Sequence, residues 1–464
     1  MKLISLFLLL ASVLAAQVPA VDWEKPKAEI TRHLRALIQI DTRTPDGNET
    51  KAAEYLKGVL EAEGIPVKTF ALVPNRANLV ARLKGNGSKR PILLMAHTDV
   101  VPVQREKWPV DPFGGVMKDG YIWGRGSRDD KPLVAALFEA MLLLKRSGAV
   151  LDRDVIFLAD AGEEAEPAVG VRFMAEQHFD EIEAEFCLNE GVGGTMENGR
   201  VTVRQFNTTE KQPNSVRLVV NGTSGHASVP RLDNAIAHLS AAVAKAAAWE
   251  TPMRLNDTTR TYFEKLASAS PPEKAARYNA LLNPRTAAAA QRYLAEYEPG
   301  HYSMLRTSVV PTMLKAGILN NVIPSEAEAI VDIRTLPDED IAKFYAEMKR
   351  VLNDPAVRIE PTGFSARPAA PPSRLDSEMY RVLEQVSKRM HPGVTVLPTM
   401  ANGASDMAFL RAKGIQSYGI GPAVTSEDSL NYGGHSDVER IAESSLHDFL
   451  EFTWNVVAEI AVKK

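Results

Sequence analysis

The chain has 464 residues, with 54 Lys and Arg against 58 Asp and Glu, a formal net charge of −4. Hydrophobic residues make up 45% and charged residues 24%, which excludes global disorder; the lack of a basic excess argues against a nucleic-acid binder that works by neutralising phosphates. The single cysteine, Cys187, excludes an internal disulfide and a Cys-rich zinc site, so any metal must be held by His, Asp and Glu.

Residues 1–20 read as a secretory leader. Lys2 is followed by the apolar run Leu3–Leu14 and then by small residues suited to cleavage. The run is shorter than the roughly 20 residues of a spanning helix. Export to a periplasm or the outside is therefore expected, with no membrane span left after cleavage.

The mature part opens with predicted helices at Trp23–Gln39 and Glu49–Glu63, separated by a turn at 44–47. Strands follow at Asn78–Leu83 and Pro91–Ala96, the second a continuous apolar run of the kind covered on both faces. The apolar helix Leu133–Arg146 and the strand Asp154–Ala159 continue the alternation, which predicts an α/β sheet with helices on both faces. The pattern then changes. Strand Ser215–Val220, helix Asn234–Trp249, strands Val309–Gly317 and Glu326–Arg334, helix Asp338–Asn353 and strand Val357–Pro361 give the order βαββαβ of a small ferredoxin-like domain. An Ala-rich, partly helical insert at 251–307 interrupts it. From about residue 370 the first pattern resumes, with helices Ser377–Met390 and Met407–Lys413, strand Val394–Leu397 and a terminal helix near Ser444–Val462. The expected organisation is a leader (1–20), a catalytic domain in two parts (21–212 and 367–464), and an inserted lid or dimerisation domain (213–366).

Several strand ends carry chemistry-bearing residues. His97 and Asp99 follow the buried run and point to one side of an extended backbone. A metal-bound imidazole needs an acceptor on its other nitrogen, and Asp99 is placed to supply one. Taken alone, a His-x-Asp at a strand end is more often a hydrogen-bonded surface pair, and Asp129 with Asp130 before an apolar helix can simply favour its N-terminus. Glu163 and Glu164 end a buried strand, where adjacent carboxylates repel unless a cation or proton relieves them. Glu190 ends another strand, and His435 lies in a Gly-rich loop before the last helix. Open α/β sheets bind ligands at such an edge. Two His and three or four carboxylates without Cys suit a pair of zinc ions bridged by one carboxylate.

Five motifs in order, 97–102 (HTDVVP), 124–131 (GRGSRDDK), Glu163-Glu164, Asn189-Glu190-Gly191 and Gly434-His435, resemble those of the aminoacylase/carboxypeptidase family of co-catalytic di-zinc metallohydrolases. The likeness covers essentially all of the mature chain. It implies a mixed-sheet α/β catalytic domain of zinc-exopeptidase type with an inserted ferredoxin-like α+β lid. It implies two zinc ions per subunit, with Co or Mn as possible substitutes. His97, Asp129, Glu164, Glu190 and His435 are then the ligands, with Asp129 bridging across a cis Asp129–Asp130 peptide. Asp99 orients His97, and Glu163 is the general base. The lid motif 225–228 (GHAS) implies that His226 polarises the scissile carbonyl across a homodimer. Asn321, Arg334 and Gly403 match the family's substrate-binding positions, with Arg334 clamping a carboxylate. Pro132 stands where the family usually has Gly, and Gly162 replaces a common acid. The implied reaction is hydrolysis of an amide or peptide bond next to a free carboxylate, in an N-acyl amino acid or a short peptide. A dipeptidase or aminopeptidase of the same family and a zinc-binding protein without turnover are the competing readings.

Overall fold

The computed structural model describes residues 19–363 and 367–463. The leader expected at 1–20 falls outside them but for residues 19 and 20. No helix among the described residues is long and apolar enough to cross a membrane.

Among the described residues the main sheet has ten strands, in the order 67–71, 77–83, 155–160, 92–97, 186–190, 416–420, 200–210, 193–197, 423–424, with 395–401 paired to 200–210. Its centre is parallel: 92–97 lies between 155–160 and 186–190, and 416–420 pairs with 186–190. Strands 92–97 and 155–160 are buried along their length, as their near-continuous apolar content requires. One face packs on helices Glu24–Gln39, Glu49–Ala62, Lys131–Ser147, Glu378–Met390 and Glu443–Ala461 through a large apolar cluster. The other face packs on Val171–Gln177 and Met407–Ala412 through a smaller cluster that contains Cys187. The sheet is thus mixed and covered on both sides, the architecture the alternating pattern predicts.

The βαββαβ stretch forms a second sheet. Its strands lie side by side as 308–316, 326–335, 216–221 and 357–361, all antiparallel, with 212–213 pairing the end of 326–335. Helices Ala235–Ala248 and Ile341–Leu352 cover one face through a separate apolar cluster that includes Leu218, Leu239, Val331 and Met348. The edge strand 308–316 leaves Val310, Met313 and Leu314 exposed.

The place of the insert in the chain predicts that it belongs to the lid, yet its body packs on the main sheet. Its first helix, Asp257–Ser268, carries a complete capping box at Asn256 and Thr259 that a reading by composition passes over. Phe263, Tyr278 and Leu294 of the insert share one apolar cluster with Leu397 and Met400 of strand 395–401. Sequence adjacency to helix 235–248 of the second sheet does not decide which surface a chain excursion covers; apolar complementarity does.

Candidate metal and catalytic site

The parallel strands deliver their terminal residues to one edge. His97 closes strand 92–97 and Glu190 closes strand 186–190; Glu163 and Glu164 follow strand 155–160. Asp129 arrives from the loop before helix Lys131–Ser147, and His435 from the loop after helix Ser426–Asn431.

These groups converge. His97 Nε2 lies 3.1 Å from Asp129 Oδ1 and 3.7 Å from Glu190 Oε2. On the other side of the same carboxylate, His435 Nε2 lies 3.3 Å from Asp129 Oδ2 and 3.1 Å from Glu164 Oε2. Asp129 therefore turns one oxygen to each imidazole. The Asp129–Asp130 peptide is cis. Gly434 lets the His435 loop lie against Asp129, because a Cβ there would sit 3.0 Å from the Asp129 Cβ.

His97 Nδ1 is 3.1 Å from the Asp99 carbonyl oxygen and 3.5 Å from its carboxylate. An oxygen that only accepts holds the proton on Nδ1 and leaves the Nε2 lone pair of a neutral ring facing Asp129 and Glu190. The buried Asp99 carboxylate also accepts from the backbone N–H groups of Glu163 and Glu164, both at 3.1 Å. It thus ties the His97 strand end to the turn that carries both glutamates.

The electrostatics of the cluster suit a cation. Burial first, then neighbouring acids, pushes the Glu190 carboxyl up to about 7 and the Glu163 and Asp130 carboxyls well above their ordinary range. His435 is pushed up to about 10 by hydrogen bonds to Asp129 and Glu164. For His97, burial pulls the ring down, but its contacts with Asp129, Asp99 and Glu190 outweigh this and raise it well above the usual value. A group of acids with two imidazoles at its centre relieves its repulsion by holding protons or by binding metal. Two overlapping sets have the spacing of metal ligands: His97, Asp129 and Glu164; and His97, Asp130 and Glu190. Glu190 Oε1 and Asp130 Oδ2 are buried without a hydrogen-bond partner among the described residues. The residues present therefore fit a metal pair. Asp130 is not among the ligands expected from the sequence, although its place beside Asp129 is an available signal.

Two further buried groups lie outside the sequence-based expectations. Glu439 accepts from Arg125 Nη1 at 2.6 Å and from the backbone N–H groups of Gly126, Arg128 and Asp129 at 3.1, 2.6 and 3.2 Å. One carboxylate thus fixes the loop that presents Asp129. Replacing it by Ala leaves the buried Arg125 charge unpaired, and a Glu439→Ala protein is expected to lose about 3–5 kcal/mol of stability. Urea unfolding of the metal-free proteins measures this. Arg367 donates to Glu163 Oε1 at 2.9 Å and lies 3.6 Å from Asp406 Oδ1.

The remaining site residues lie apart from the cluster: Arg334 on the second sheet, and His226 and Asn321 at a separate two-stranded ribbon. His226 and Asn321 are neighbours: 225–226 pairs with 322–323, and the Ala227 N–H donates to the Asn321 carbonyl at 2.9 Å. His226 is exposed, and its Nδ1 receives the Ser228 N–H at 3.2 Å and the Ser228 hydroxyl at 2.7 Å. A backbone N–H can only donate, so Nδ1 is the lone-pair nitrogen and the ring proton sits on the outward Nε2. No contact joins His226 to the His97–His435 cluster among the described residues. Arg334 is held through Nε by both Asp332 oxygens, at 2.9 and 3.2 Å. Gly403 is exposed, two residues before Ser405, whose hydroxyl donates to Glu210 at 2.6 Å.

The family model for Peptidase family M20/M25/M40 matches residues 93–458. Among curated relatives, the chain is 29% identical over 412 residues to the N-fatty-acyl-amino acid synthase/hydrolase PM20D1 of Homo sapiens, covering 85% of this chain and 80% of the relative. It is 31% identical over 339 residues to the probable carboxypeptidase S-like 2 of Dictyostelium discoideum, covering 71% and 64%. Among solved structures, the M20 family metallo-carboxypeptidase Sso-CP2 from Sulfolobus solfataricus superposes with a TM-score of 0.70 at 18% identity, covering 93% of this chain and 98% of that one.

Proposed function

Because the chain belongs to the M20/M25/M40 peptidase family, and so is a metallohydrolase of C–N bonds, we propose that it cleaves an amide or peptide bond adjacent to a free carboxylate, in an N-acyl amino acid or a short peptide. The observation that carries this reading is the two-sided Asp129 carboxylate, with His97 at one oxygen and His435 at the other. His97, Asp129, Glu164, Glu190 and His435 would hold two zinc ions, with Asp130 close enough to join them. Bound there, the metals supply Lewis acidity toward the scissile carbonyl and make water acidic enough to attack at neutral pH.

The chain's own groups do the rest. Glu163, held by Arg367, takes the proton of the attacking water and returns it to the leaving nitrogen. His226 offers its Nε2–H to the carbonyl oxygen, where negative charge develops. Arg334 has no partner for its η nitrogens among the described residues, and these clamp the substrate carboxylate. Asn321 and the Gly403 backbone complete the binding positions. The working form is a homodimer through the lid: strand 308–316 is an edge strand with unpaired backbone groups and exposed Met313 and Leu314, and Ile318 and Leu319 beyond it are exposed too. The leader at 1–20 supports export.

The test is a paired substrate panel with zinc-loaded protein. N-acyl amino acids and dipeptides with a free C-terminal carboxylate are expected to be hydrolysed, and their amidated counterparts to lose at least about tenfold in kcat/KM, the cost of losing the charged hydrogen bonds to the Arg334 η nitrogens. Equal rates on free and amidated substrates would overturn the assignment.

A further inference from the structure

We propose that Arg367 is a positioning residue for Glu163. It holds this carboxylate in place as the base and keeps it from turning into the candidate metal cluster as one more ligand. The proposal rests on the reading of Glu163 as the general base.

The need for such a residue follows from the sequence. Glu163 and Glu164 are adjacent acids on one turn, and their backbone N–H groups are tied to the same Asp99 carboxylate. Glu164 reaches His435 at 3.1 Å, and Glu190 stands close to Glu163. Two identical carboxylates side by side are equally able to bind a cation. A fixed partner for one of them breaks that equivalence.

Arg367 is such a partner, and it grips Glu163 at both ends. Its Nη2 donates to Oε1 at 2.9 Å and to the Glu163 backbone carbonyl at 3.4 Å. A bond from an ionised donor to a carboxylate is strong and directed, and anchoring backbone and carboxylate together limits the rotamers open to Glu163. The guanidinium is itself mounted. Its Nε donates to the Ser405 carbonyl at 3.1 Å, Nη2 lies 3.6 Å from Asp406 Oδ1, and the Phe409 ring centroid is 5.6 Å away. The Gln212 side chain donates to the next carbonyl, that of Pro368, at 2.8 Å. The mount is anchored in turn: the Ser405 hydroxyl donates to Glu210 Oε2 at 2.6 Å, and Arg411 Nη1 lies 3.2 Å from the same oxygen. The Arg367 side chain is 3% exposed and that of Asp406 is fully buried, so water does not compete for these bonds. They lead to Glu163 and to the 405–409 segment, so a change at Arg367 is felt first at Glu163.

The test is a double-mutant cycle in the full-length, zinc-loaded protein, with the fastest substrate of the N-acyl amino acid and dipeptide panel. Arg367→Ala is expected to keep its metals and lower kcat about 30-fold, with KM changed less than about twofold, the pattern of a misplaced reacting group. On the Glu163→Gln background the same change is expected to cost less than about twofold, because the group it positions is already disabled. Loaded with cobalt(II) instead of zinc, Arg367→Ala is expected to show an altered visible spectrum, as Glu163 joins the ligands; Arg367→Ala/Glu163→Gln should match Glu163→Gln. Arg367→Lys keeps a positive charge between Glu163 and Asp406, which protects the fold, but an ammonium does not reproduce the guanidinium fork; it is expected to lose about fivefold in kcat, again only when Glu163 is present. If Arg367→Ala does not fold, Arg367→Lys decides. Wild-type kcat in the folded variants, an equal loss on both Glu163 backgrounds, or an unchanged cobalt spectrum overturns the proposal. If the wild type cleaves no member of the panel, the reaction falls, and the cobalt spectra still decide whether Arg367 holds Glu163 away from the metals.

Discussion

A Glu163→Gln enzyme is expected to keep its metals and lose about 10²–10⁴ in kcat, the usual loss for a general base. Glu163 and Glu164 are adjacent, yet they serve different partners. Glu164 reaches His435 at 3.1 Å, while Glu163 turns to Arg367 at 2.9 Å. The backbone of both is pinned by the two oxygens of Asp99, so exchanging the Glu163 carboxylate for an amide should leave Glu164 in place. Burial, with Glu190 and Asp406 close by, raises the Glu163 carboxyl well above the ordinary range. Measuring zinc stoichiometry together with kcat decides the matter. Near-wild-type kcat with two metals bound would remove Glu163 from this role, and loss of both metals would make it a ligand.

The second large effect concerns His226. His226→Ala is expected to be inactive alone, and activity is expected to return when it is mixed with the equally inactive Glu163→Gln protein under conditions that exchange subunits. His226 lies on the two-stranded ribbon 225–226/322–323, exposed and with its ring proton on Nε2, whereas the candidate metal cluster sits at the edge of the main sheet. A histidine with this proton placement is ready to donate to an oxyanion but meets none of the cluster residues of its own chain. In the proposed dimer, crossing a two-fold interface would bring it to the partner's candidate metal site. A mixed dimer then contains one site with both lesions and one with neither, giving up to half of wild-type activity. If His226 instead serves its own chain after closure of the lid, every site retains a lesion and the mixture stays inactive. No recovery despite demonstrated exchange, or a fully active monomer in sedimentation, would reject the trans arrangement.

The candidate metal cluster is legible in the sequence because each of its members interrupts a strong local pattern. His97, Glu164 and Glu190 stand at or just past the ends of buried strands, and Asp129 and His435 sit in glycine-rich loops. Glu439, Arg367 and Asp406 give no such signal. Glu439 lies near a short strand four residues after His435, and its role exists only because the 125–129 loop folds onto it. Arg367 meets Glu163 across 204 residues of chain. Periodicity reports which face of an element is buried, not which distant charge it meets. The hairpin 193–197/200–210 escapes a reading by pattern because polar Thr, Arg, Gln and Asn alternate with few apolar residues along it. The insert shows its helices but not the surface they cover, since that depends on Leu397 and Met400 of a strand about 100 residues downstream.

Cys187 supplies a built-in clock for motion at the catalytic edge. Its thiol is fully buried, and burial pushes its pKa up, so a thiol reagent meets no thiolate while the fold is closed. It sits three residues before Glu190 on strand 186–190, between strands 92–97 and 416–420. Its labelling rate under native conditions therefore reads the free energy of opening this strand, and with no other cysteine in the chain the signal is unambiguous. Any ion gripped by Glu190 ties the strand down, so the labelling half-life becomes a gauge of metal occupancy that needs no substrate.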